Sequence, residues 1–112
     1  MSGIKVVDVG DAEVSEESLF VSRRVIRKEH GAERMSFNVS TLHEGYHDPE
    51  VTYPDHDEIV YILTGKVEFT VDGATQTLGE GKAIYVPRGQ VYGYKVIEGP
   101  NDVVAVFTPA KF

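Results

Sequence analysis

Glycine and proline break this chain at short intervals, and the stretches between them are rich in Val, Ile, Tyr, Phe and Thr. No segment keeps a helical period, and no repeat or low-complexity tract is present. Short β-rich segments punctuated in this way predict an all-β sandwich or barrel. The expected strands are Ile4 to Val9, Leu19 to Lys28, Arg34 to Leu42, Glu58 to Leu63 and Lys66 to Val71, followed by 74–78, 82–86, 91–97 and 102–108. Residues 11–18 read as a polar loop or a single helical turn, and 43–56 as a long loop or an irregular strand. Lys66 to Val71 alternates, with Val67, Phe69 and Val71 on one face. Asp72-Gly73 is the strongest hairpin signal in the chain.

A chain of 112 residues closes one core and not two. The expectation is a single domain over 1–112, with an N-terminal strand and polar loop over 1–18 and a barrel over 19–112. No stretch reaches the roughly 20 apolar residues of a membrane-spanning helix. The start, Met1 to Lys5, lacks the apolar run of a signal peptide, so a cytoplasmic location is expected. There are no cysteines, which excludes disulfides and thiolate ligands. Net charge is −7, and the basic residues Arg23, Arg24, Arg27 and Lys28 lie on a strand that splits them between two faces. They read as a solvated or subunit-contacting strand, not as the concentrated positive field that nucleic acid requires.

Two spaced patterns stand out. The first is Gly45, five residues, Val51, one residue, Tyr53, four residues, Glu58, six residues, Gly65. The second is Gly81, five residues, Pro87-Arg88-Gly89, two residues, Tyr92. This framework resembles the two motifs of the cupin family, in its small single-domain, RmlC-like form. The resemblance implies a double-stranded β-helix, a jelly-roll barrel with a pocket in its lumen. It also implies where the family holds a metal, on two histidines and a glutamate of the first motif and a histidine of the second. Those positions are Val51, Tyr53, Glu58 and Tyr92 here, so only the glutamate survives and the usual site is degenerate. Valine offers a metal no donor. The run Tyr53 to Tyr61, with Ile84 to Gly89, is loosely similar to the metal-poor cupins of the ethanolamine-utilisation type.

Glu58 shares a strand face with Val60 and Ile62. If that face lines a lumen, the carboxylate must be paired, hydrogen-bonded or protonated, and a raised pKa suits a general acid or base. The alternative is a glutamate facing water at the barrel mouth. His56 stands two residues earlier, so in an extended backbone it points the same way as Glu58 and forms an acid–base couple with it. It also forms part of an alternative metal set, Glu58, His56 and His47, with His43 or Tyr92 as substitutes. Tyr53, Tyr92 and Tyr94, with Val60 and Ile62, are the expected wall of a ligand pocket, or else the filling of a closed barrel.

Three functions follow. The first is a small-molecule-binding barrel, as a binder or an enzyme of small-molecule catabolism, that requires no identified cofactor. The second is a metal-dependent isomerase, lyase or dioxygenase with rearranged ligands, using a divalent cation. The third is a non-catalytic sensor or structural dimer. A homodimer is expected in each case, because Ile59, Tyr61 and Leu63 form an apolar face opposite Glu58 and Ile4, Val6, Val7 and Val9 a short apolar strand.

Overall fold

The computed structural model describes residues 3–112. Ten strands follow in order: β1 (Glu13–Glu16), β2 (Phe20–Ile26), β3 (Ser36–Leu42), β4 (His47–Val51), β5 (Asp57–Ile62), β6 (Lys66–Val71), β7 (Ala74–Leu78), β8 (Ala83–Val86), β9 (Tyr92–Glu98) and β10 (Asn101–Thr108). Short 3-10 turns at Val9–Asp11 and Lys28–His30 are the only helical pieces among the described residues. Among those residues no helix is long and apolar enough to cross a membrane.

The strands form two antiparallel sheets, one of order β1-β2-β3-β10-β5-β8 and one of order β4-β9-β6-β7. Consecutive side chains of a strand face opposite ways, so alternate residues of each sheet meet between the layers. Val60, Ile62 and Val103 from the larger sheet pack there against Val67, Phe69 and Val96 from the smaller one. The result is a jelly-roll barrel, as expected from the sequence. The hairpin at Asp72-Gly73 is where the sequence places it, and both residues have positive φ, 50° and 78°. Gly65 is needed for a different reason. Its φ is 85°, and a Cβ there would lie 2.6 Å from the carbonyl oxygen of Glu98.

The N-terminal reading needs correction. Ile4 to Val9 is no strand: residues 3–8 follow an irregular path, and Ile4 and Val6 are 81% and 95% exposed. An apolar stretch becomes a strand only where a sheet edge is free to receive it, and here that edge is taken by β1. β1 itself, Glu-Val-Ser-Glu, falls in the stretch read as polar loop. An edge strand is held by backbone bonds on one side, and charged residues suit it because they deter further pairing. The 43–56 segment contains the irregular strand β4, whose register with β9 slips between Asp48 and Val51.

A candidate ligand pocket between the sheets

Directly opposed residues of antiparallel strands share a face, so the registers assemble the inner surface row by row. One row runs Ser36, Phe107, Glu58, Val86. The next runs Arg24, Asn38, Ala105, Val60, Ile84. A third runs Ser22, Ser40, Val103, Ile62. From the facing sheet, β9 presents Tyr92 and Tyr94, and β4 presents Val51. Between them lies a cavity of about 270 Å³. This is close to the lower end of the ~300–1,000 Å³ of ordinary ligand sites, so the size fits a small molecule.

Glu58 is 4% exposed and lines this cavity. The hydroxyl of Tyr92 donates to its Oε1 at 2.8 Å, while Oε2 takes no hydrogen bond from the described residues. Burial raises the carboxyl pKa, and the Tyr92 hydrogen bond and the positive charge of Lys111 offset part of that rise. Burial also raises the phenols of Tyr92, Tyr53 and Tyr94 well above the usual tyrosine range, with the charge of Glu58 adding to each. All three stay neutral. Tyr94 is committed elsewhere, donating to Asn101 Oδ1, whose amide in turn donates to the Thr64 carbonyl at 2.8 Å.

Lys111 and Phe112, beyond β10, also line the lumen. The Ala110 N–H donates to the Glu33 carbonyl, the Lys111 N–H to Ser36 Oγ and the Lys28 N–H to the Phe112 carbonyl. This fixes Lys111 with its Nζ over the rings of Tyr53, Phe112 and Phe107, 4.4, 4.7 and 5.2 Å from their centroids. Burial lowers the Lys111 pKa; Glu58 pulls it back up and Arg24 pushes it further down. Arg24 stacks on the same Phe112 ring, its Cζ 3.8 Å from the centroid.

The expected site residues divide. Tyr53, Glu58, Val60, Tyr92 and Tyr94 all line the cavity. Ile62 does not; it is wholly buried in the core beneath. His56 is not brought to Glu58. β5 starts at Asp57, so His56 precedes the strand and the two-residue repeat does not reach it. Its Nδ1–H donates to the Pro109 carbonyl at 2.8 Å, with the ring against Phe107. His47 sits on β4 opposite Lys95, outside the cavity, and His43 is exposed. The acid–base couple of His56 with Glu58, and the set Glu58, His56 and His47, are therefore not assembled. Among the described residues no three His, Asp or Glu side chains converge on a common point.

Sequence reasoning missed the polar wall. Arg24 is not on a solvated or subunit-contacting face but lines the lumen, with Ser22, Asn38 and Ser40 beside it. The available signal was β3 itself, Ser-Phe-Asn-Val-Ser-Thr-Leu, in which polar and apolar residues alternate. The polar set turns inward.

A family model described as a cupin domain matches residues 38–108. The chain belongs to the cupin family. Among curated proteins, an uncharacterized protein from Streptomyces coelicolor is 28% identical over 75 residues, covering 67% of this chain and 70% of its own. The solved structure of KdgF from a Halomonas species has a TM-score of 0.82 at 18% identity and covers 96% of both chains. Ectoine synthase from P. lautus also has a TM-score of 0.82, at 20% identity, covering 95% of this cupin and 78% of its own chain. At such identities the likeness shows the fold.

Within that fold Val51, Tyr53, Glu58 and Tyr92, the positions that the family's motifs assign to metal ligands, all line the one cavity. Their donors are one carboxylate and two phenols held neutral, with no imidazole. That set does not fit a first-row transition metal, which prefers imidazole and carboxylate.

Proposed function

We propose that this cupin binds a small polar organic molecule in the lumen and exchanges a proton with it at Glu58, in place of the family's metal chemistry. One observation carries the reading: a carboxyl group buried to 4% exposure that lines the cavity and is hydrogen-bonded on one oxygen by Tyr92. A buried carboxyl with a raised pKa holds its proton more readily than an exposed one, which suits it to give a proton to a ligand or take one from it. Tyr92 holds its orientation. Tyr53 supplies a flat apolar wall with a polar tip, suited to orienting an organic ligand.

Cytoplasmic location and a homodimer belong to the same proposal. The dimer is supported by the outer face of the larger sheet, where Phe37, Val106, Ile59 and Tyr85 stand in one row and Val39, Val104, Tyr61 and Ala83 in the next.

The test has two arms. Carbon-13 NMR of labelled glutamate side chains should show Glu58 titrating above the other glutamates, and Glu58→Gln should remove that resonance alone. Thermal-shift screening with small polar organic compounds should yield binders that stabilise the wild type by about RT ln(1 + [L]/Kd) and lose their effect in E58Q. An ordinary Glu58 titration, or binders indifferent to E58Q, would sink the reading. Metal content measured without chelators should fall well below one equivalent. A near-stoichiometric metal released by E58Q would restore metal chemistry.

A further inference from the structure

We propose that the ligand is a small monocarboxylate carrying a hydrogen-bond donor beside its carboxylate, bound with its negative end between Arg24 and Lys111 and its donor on Asn38. The proposal rests on the lumen being a ligand site and adds the class of molecule that it takes.

Arg24 on β2 and Lys111 in the segment after β10 both line the cavity, and both contact one ring, that of Phe112. Among the described residues Lys111 Nζ has no ion pair, and Arg24 has one, from a terminal nitrogen to its cross-strand neighbour Glu13 at 3.1 Å. The two cations repel each other, and burial weakens the solvent screening that would relieve this. An anion placed between them removes the conflict and gains charge-assisted hydrogen bonds from both.

Two orphaned atoms sharpen the chemistry. Arg24 Nε and Asn38 Oδ1 are both buried and lack a hydrogen-bond partner, and both side chains line the cavity. Asn38 is 4% exposed and is the direct cross-strand partner of Arg24. An unpaired buried polar atom costs about 1–3 kcal/mol, so such a pair of atoms is a standing demand for a partner. Nε requires an acceptor and Oδ1 a donor, and the two atoms do not bond to each other. A carboxylate oxygen next to a hydroxyl or amino group meets both requirements. Glu17 and Asp48 also line the cavity, as does Glu58. Three carboxyl groups disfavour a second negative charge on the ligand, which selects a monoanion or a zwitterion over a dicarboxylate.

The experiment is an NMR titration of the full chain with three probes of matched size. Mandelate carries a hydroxyl, phenylglycine an amino group and mandelamide no charge. Mandelate or phenylglycine should shift the amide resonances of Asn38, Tyr92 and Lys111 saturably, and mandelamide should not. Whichever of the two binds more tightly identifies the donor as hydroxyl or ammonium. Lys111→Gln and Arg24→Gln should each weaken binding about tenfold or more. Arg24→Lys keeps the charge without the Nε donor and should recover part of the loss, which separates binding from folding. Equal binding of mandelamide would overturn the anion assignment while leaving the lumen as a ligand site. If none of the probes binds, the anion assignment falls and the proton-exchange reading is judged by the Glu58 titration alone.

Discussion

Glu58 and Tyr92 form a pair whose two members respond differently to mutation. The Tyr92 hydrogen bond works against the desolvation that raises the Glu58 pKa. Tyr92→Phe should therefore raise that pKa further and cost about 1 kcal/mol of stability for the lost bond, as read from denaturant unfolding. Glu58→Gln keeps an acceptor for the phenol and removes the charge. A carboxyl whose folded pKa lies above its unfolded one contributes stability at low pH and loses it as the pH rises through the folded value. E58Q should then match the wild type at acid pH and exceed it at neutral pH. A loss at neutral pH would show that the charged form is held by partners, and Glu58 would be a structural anchor. His56 shows the limit of reading pairs from spacing. Two residues apart is one face only inside a strand, and the strand starts one residue too late.

At the scale of elements, the turn chemistry was legible and the edges were not. Gly65, Gly73 and Gly89 all have positive φ, as turn glycines should. Gly65 is the most constrained. Gly65→Ala has to move the Glu98 and Pro100 carbonyls as well as strain φ, and should cost about 1–3 kcal/mol; unfolding curves of the two proteins measure it. Gly73 faces open space, so its alanine variant should lose only the φ term. β1 escaped the sequence because four mostly polar residues on a sheet edge leave no alternation to see. The polar lumen wall escaped for a related reason. In β3 one face is Ser36, Asn38 and Ser40 and the other is Phe37 and Val39, and hydrophobicity alone turns the second set inward. The barrel does the reverse: Ser36, Asn38 and Ser40 are buried toward the inside, and Phe37 and Val39 stand on the outer face.

That outer face sets the expectation for the whole molecule. Ile59, Tyr61 and Tyr85 are 48%, 42% and 65% exposed in an isolated chain, on the face away from Glu58. Light scattering at micromolar concentration should report a dimer, and Tyr61→Glu, whose charge would be buried in the contact, should give monomers with an unchanged lumen. A wild-type monomer would remove the dimer from the proposal.

The three strands that bear the polar wall are joined to the rest of the larger sheet along one seam, β3 against β10. β1, β2 and β3 follow one another in the chain and pair locally, whereas the seam joins Leu42 to Asn101 and Ser36 to Phe107. A unit attached in this way is one that can open on its own, at a free energy below that of global unfolding. Backbone amides along β2 and β3 should then exchange with deuterium earlier than those of β5 and β10. A molecule spanning Arg24 and Glu58 would tie the two sides of that seam together, so occupancy should appear as slowed exchange along the whole of β2 and β3.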